Sequence, residues 1–261
     1  MYATMSFFIA ALLLASDQQV VDNKPKSEAI SHLETLESLL ADKKYLELRK
    51  IIFNPKTPDE FSESLDWLQG NWFEGNSALI PVIYAIMLWK ITENSPNNAE
   101  KQNLRSTAVA SMLYFYGVIG IDGARCGDYT ALVNRRDQFP TIIPDLFKYI
   151  MTMSPAEKNI VVEVAVGVEA RTAARRDEIG DVEFLCAGGL EQIRYGLKNG
   201  TTKEVPAKPG QIGRQILVDD GGKYKPTTLE PKIWKPVAAK ARTEMKARLE
   251  SLLASVTTTK K

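Results

Sequence analysis

Only two cysteines occur in the 261 residues of this chain, and they constrain its fold more than any other feature. One stands in Asp122-Gly123-Ala124-Arg125-Cys126-Gly127-Asp128 and the other in Phe184-Leu185-Cys186-Ala187-Gly188-Gly189. A bond between Cys126 and Cys186 would close a loop of about 60 residues, which the chain-entropy model values at roughly 4 kcal/mol. Cys186 lies on a stripe at helical spacing and is expected to face inward, while Gly123 and Gly127 let the backbone around Cys126 approach a helix closely. The junction is therefore the predicted centre of the fold. The alternative is two free, buried thiols in a cytosolic protein. Neither cysteine has a partner at Cys-x-x-Cys spacing, so thioredoxin-type redox catalysis is not indicated.

The choice between bridge and thiols depends on the compartment. Residues 7–15, Phe-Phe-Ile-Ala-Ala-Leu-Leu-Leu-Ala, are uncharged and apolar. A run of about nine is too short to span a bilayer as a helix. It matches the apolar region of a secretory signal, with Ala15 at the cleavage point, and residues 1–15 are read as a signal peptide. No Lys or Arg precedes it. The competing reading is a buried N-terminal helix. Export makes one disulfide, Cys126 to Cys186, the expected state.

The rest of the chain reads as helix. Ile30, Leu33, Leu36, Leu39 and Leu40 recur at three- and four-residue intervals, and a second run from Tyr45 stops before Asn54-Pro55. Pro58 with Asp59 and Glu60 opens a helix through Trp67-Leu68, after which Gly70-Asn71 and Gly75-Asn76 predict a loop holding Trp72 and Phe73. Loop aromatics can grip a ligand, but more often they fold onto a core. Residues 81–91 are apolar nearly all round, which predicts a central helix in a large core. Ser95-Pro96 supplies a start signal for the next helix, which Gly117 and Gly120 are expected to end. Ser154-Pro155-Ala156-Glu157 is a capping box with proline in the first turn. The helix after it ends in Arg171, Arg175 and Arg176, where cations suit the dipole. Val182, Leu185, Cys186, Gly189, Leu190, Ile193 and Leu197 form one further stripe at helical spacing.

The predicted fold is thus all-α: a single helical domain over residues 28–198 with about eight or nine helices. Residues 199–235 read as an irregular basic extension. Within it, 211–218, the Asp219-Asp220-Gly221-Gly222 turn and 223–225 predict a short β-hairpin. Residues 236–256 read as a terminal helix.

Several chemistries are disfavoured. Lys+Arg number 33 against Asp+Glu 32, so no basic field attracts nucleic acid. With a single histidine, His32, a Ser-His-Asp or Cys-His hydrolase has little to work with, and a zinc site has a poor supply of ligands. His32 itself reads as a helix-flank residue. No cofactor or metal is expected, and no membrane span is expected once the signal is removed. The densest polar segment, 125–137, reads as a loop carrying Arg125, Asp128, Tyr129, Asn134, Arg135 and Arg136. Arg forks there suit a carboxylate or phosphate, as at an anion- or peptide-binding edge. The structural reading is an Arg–Asp network that pins a loop to two helices.

The two cysteine segments together resemble exported bacterial helical proteins of unknown function. That resemblance covers these segments alone, and implies an exported helical protein with a disulfide but no particular activity. The expected function is a periplasmic or secreted non-enzymatic protein that binds another protein or a cell-wall component. The alternative is a carboxylate-dependent cell-wall glycan hydrolase, which needs no histidine and would use Glu60 or Glu63 near the Trp67–Trp72 aromatics.

Overall fold

A computed structural model describes residues 31–206 and 215–258. The expected signal peptide, and residues 211–214 of the expected hairpin, lie outside the described residues. The described chain is all-α, as predicted. In order it forms α1 (His32–Ala41), α2 (Tyr45–Phe53), α3 (Pro58–Glu74), α4 (Ile80–Asn94), α5 (Asn98–Ile121), a 3-10 turn (Asp122–Arg125), α6 (Tyr129–Ile142), α7 (Pro144–Thr152) and α8 (Pro155–Ile179). Then come α9 (Glu183–Cys186), α10 (Leu190–Asn199), β1 (Thr201–Val205), β2 (Gln215–Asp219), α11 (Pro231–Thr243) and α12 (Met245–Thr258).

Local chemistry explains most of the starts. Ser154 and Glu157 satisfy each other's backbone amides ahead of α8, and Ser31 with Glu34 does the same ahead of α1. Thr57 accepts from the Glu60 amide, and Pro58 occupies the first turn of α3. His32, the first residue of α1, is half-buried with Nε2 2.8 Å from Ser64 Oγ. The apolar helix α4 packs along α5, and α5 along α8, to make the centre. Ile83, Ala85, Phe115, Val118 and Ala165 are fully buried there. The stretch Asn98–Arg125 is long and apolar enough to cross a membrane, yet 67% of its most apolar window is buried inside the protein.

Four expectations about boundaries are corrected. Residues 70–74 are not a loop. The helix runs on through Gly70 to Glu74, since one helical glycine costs only about 1 kcal/mol and burial of Trp72 against Phe73, Tyr84 and Tyr114 outweighs it. Asn97, not Ser95, caps α5: its Oδ1 accepts from the amides of Ala99 and Glu100. Gly117 does not end α5, but lets Met245 of α12 pack against the helix, where a Cβ would collide with it. The segment from Tyr129 onward is helix α6 rather than loop. These changes leave ten α-helices between His32 and Asn199, where eight or nine were expected.

The C-terminal part also differs. The hairpin pairs β1 with β2, with Thr201 opposite Asp219 and Val205 opposite Gln215; the Asp219-Asp220-Gly221-Gly222 turn leads out of it. The expected terminal helix is two helices, with Pro236 inside α11. Ala238, Ala241, Met245, Leu249 and Leu253 belong to the same core as α4, α5 and α8, so α11 and α12 complete the helical body.

Candidate functional site

Cys126 and Cys186 are disulfide-bonded, with Cα atoms 5.2 Å apart, and both are buried. The bond joins the end of the 3-10 turn to the end of α9. The C-terminal segment is laced across the same place. Gly127 N–H donates to Thr227 O (2.8 Å), and Leu229 N–H donates to Arg125 O (2.7 Å). Three chain regions far apart in sequence therefore meet at this junction.

Each polar residue singled out in the sequence has a definite place. Arg125 is buried, donates to Asp177 Oδ1 at 2.7 Å and lies 4.2 Å from the Trp234 ring centroid. Arg135 lies on α6, donates from Nε to Phe184 O (2.8 Å) and stacks over the Phe184 ring. Burial, with Arg49 nearby, lowers its pKa to about 10. Arg136 is exposed and pairs with its neighbour Asp137, so its fork points into solvent. Asn134 Nδ2 donates to Gly188 O (2.9 Å).

Asp128 organises a second element. Its Oδ1 accepts from the amide and hydroxyl of Thr130, and its Oδ2 accepts from the Glu191 amide at 2.8 Å. Thr130 Oγ1 in turn accepts from the Leu190 amide at 2.8 Å. These are first-turn amides of α10, whose cap residue Gly189 has no side chain to offer them. Burial alone would raise the Asp128 carboxyl, but the hydrogen bonds from Thr130 and Glu191, with Arg194 nearby, hold it below the usual range. Gly189 is required because a Cβ would run into Asp128 and the Ala131 amide.

Behind the junction lies a group of charges, buried at Asp122, Arg125, Glu169 and Arg176 and partly exposed at Asp177 and Arg242, of which the sequence had singled out only Arg125 and Arg176. Arg176 donates to Asp122 (2.8 Å) and Glu169 (2.7 Å); Arg242 donates to Glu169 (2.9 Å) and lies 3.7 Å from Asp177; Arg125 binds Asp177. Asp122, Arg176, Glu169, Arg242, Asp177 and Arg125 thus alternate in sign, and they link the 3-10 turn, α8 and α11. Burial would lower Arg176, yet Asp122, Tyr114 and Glu169 outweigh it and raise it, so Arg176 stays charged. Burial raises Asp122, against the pull of Arg176 and Arg125. Asp122 Oδ1, Arg125 Nε and Arg242 Nη2 are buried without a hydrogen-bond partner. All three carboxylates face arginines, and among the described residues no group of three His, Cys, Asp or Glu side chains could hold a metal.

The junction also carries a surface feature. The stripe that begins at Val182 is continuous to Cys186 and then breaks. Gly188 adopts a φ of +86° and the chain turns before α10, so the second half of the stripe faces outward. Leu190, Ile193 and Leu197 are all exposed. Leu46 of α2, 78% exposed, and Leu217 of β2, 59% exposed, share a groove with Ile193. An open groove runs between these elements, with Leu46, Gln192 and Ile193 on one side and residues 217–220 on the other. Gln192 fixes its end by donating to Asp220 Oδ2 (2.6 Å) and accepting from the Gly188 amide (2.6 Å). The helical period predicted the stripe but not the turn that exposes it.

Glu60 and Glu63, the sequence's candidate acids, sit in the first two turns of α3. Glu60 Oε2 accepts from the Lys56 amide (2.6 Å), and Glu63 is exposed. No protein-family model, curated protein or solved structure matches the chain.

Proposed function

We propose that this protein is exported and binds another protein through the apolar face formed by α10, β2 and Leu46, without catalysing a reaction. The observation that carries the reading is a set of exposed large apolar side chains at one groove: Leu46, Ile193 and Leu217 line it, and Leu190 and Leu197 continue the Ile193 stripe along α10. Scattered surface leucines need no explanation, but a contiguous apolar face rimmed by polar groups marks an interaction surface. A protein partner fits this chemistry better than a wall glycan, which would call for convergent polar groups. The start of α10, which carries Ile193, is fixed by Asp128 and Thr130, so this side of the surface is held ready for a partner.

Export rests on the apolar run at residues 7–15 and on the disulfide, a bond typical of oxidising compartments. The N-terminus of protein recovered from the native host is expected near Ser16; intact Met1 in a cytosolic fraction overturns export. The binding face is tested with a photo-crosslinking residue at Leu197 in native-host cells. A discrete adduct is expected there, lost on Ile193→Asp, with none from the same residue at Lys232 on α11. Equal labelling at both positions, or none at Leu197, overturns the reading. Degradation of peptidoglycan by the pure protein, abolished by Glu63→Gln, would place it in the hydrolase class instead.

A further inference from the structure

We infer that the partner enters as an extended, apolar and basic polypeptide segment that pairs with the outer edge of β2 as a third strand; this rests on the binding reading above. The geometry of the groove is the first argument. Successive residues of a strand point to opposite faces, so a groove over one face is lined by alternate residues. Here the lining takes in Leu217, Val218, Asp219 and Asp220 consecutively, and no residue of β1. The groove therefore runs along the side of β2 that faces away from β1. Among the described residues, β2 pairs with β1 alone, so that edge carries no strand. Backbone amides and carbonyls on such an edge are a template for an added strand, with pockets reading alternate side chains of the newcomer.

The surroundings specify the newcomer. Across the groove from β2, Leu46 and Ile193 offer apolar contacts to the side chains that point away from solvent. At the end of β2 stand Asp219 and Asp220. Asp220 accepts from the Gln192 side chain and the Gly222 amide, and Asp219 accepts from the Gly221 amide. Neither carboxylate has an ion-pair partner among the described residues, so this end of the groove is complementary to Lys or Arg. A second copy of this chain supplies such a charge to one carboxylate only: if two β2 strands paired antiparallel about Leu217, Asp220 would meet Arg214, but Asp219 would meet Gln215. The edge is otherwise undefended: residues 216–218, Ile-Leu-Val, carry neither charge nor proline.

The test uses the mature, disulfide-bonded protein and a labelled ten-residue peptide that alternates valine with threonine and ends in two lysines. Two further peptides carry N-methyl groups on one or the other alternate set of amides, and a fourth ends in two glutamates. Fluorescence anisotropy is expected to give saturable binding of the first peptide. One N-methylated set should bind at least about tenfold more weakly than the other, because a strand pairs through alternate amides only. The glutamate peptide, and the Asp219→Asn and Leu46→Asp proteins, should each lose about tenfold. Equal effects of the two methylated sets overturn strand pairing, as does binding indifferent to both Asp219→Asn and Leu46→Asp. So does a dimer in sedimentation whose formation excludes the peptide, which gives the edge to a second copy. Failure of every peptide, with the crosslink at Leu197 retained, overturns this inference and spares the binding face; failure of both removes the face as well.

Discussion

Asp128 shows how one side chain supports an element distant in sequence. Its carboxylate, held low by Thr130 and the Glu191 amide, keeps the start of α10 in place. A carboxyl depressed on folding contributes stability that is present above its unfolded value of ~3.9 and lost as pH falls through the lower folded value. Asp122 runs the other way: burial raises it, so acid relieves its ionisation penalty. The urea midpoint of Asp128→Asn is therefore expected to fall less than that of the parent between pH 5 and pH 2, roughly the window around that value. Parallel curves would show that Asp128 contributes nothing to acid unfolding. The cysteines act at the same scale. The bridge closes a separation of 60 residues, so the Cys126→Ala, Cys186→Ala protein should lose roughly 4 kcal/mol in urea unfolding, less any contact strain relieved. Both cysteines and Asp128 were visible in the sequence. The pairing of the cysteines with each other was visible too, but the partner of Asp128 was not, because Glu191 lies 63 residues away and contributes only a backbone amide, which every residue but proline carries.

At the scale of elements, the packing of α10 on the hairpin depends on Gly196. A Cβ there would run into Val218 Cγ1, while in an isolated helix alanine would gain about 1 kcal/mol over glycine. The collision should win. Gly196→Ala is expected to cost about 1–3 kcal/mol in this packing and to speed amide exchange in β2, leaving α4 and α5 protected. A uniformly stabilised protein with unchanged exchange in β2 would count against that contact. Elements with strong local chemistry, such as α8 behind its capping box, were legible. Those that depend on neighbours were not. The end of α3 is helical because Trp72 finds Tyr84 and Tyr114, and α6 was hidden because so few of its residues face the core.

Across the whole molecule, the six alternating charges tie α11 to the 3-10 turn and α8. Glu169 takes donors from both Arg176 and Arg242 and is almost fully buried. Glu169→Ala would take one carboxylate from each of two guanidinium groups, leaving Arg176 with Asp122 and Arg242 with Asp177, and breaking a buried pair from one side costs about 3–5 kcal/mol. Lys246→Ala, which removes the half-exposed pair with Glu163, should cost less than about 1 kcal/mol. The two chemical denaturation curves separate these cases; equal costs would mean that solvent reaches the buried charges. With α12 packed on α7 and α8, the described helices from α1 to α12 form one body, and the C-terminal helices belong to it.

The sequence by itself determined the class of fold, most helix starts, and the two cysteines available to pair. Those features arise from neighbours within a turn or two: caps, prolines, glycines and the 3.6-residue period. Only the tertiary structure decided that the stripe from Val182 to Leu197 would be split at Gly188, so that Ile193 turns outward while Cys186 stays inward as its spacing implied. Period alone says which residues share a face, not whether that face is covered. The same holds for the charge group, where Asp122 and Arg242 are 120 positions apart. Burial and pairing at that distance depend on where α11 returns, and no local pattern records it.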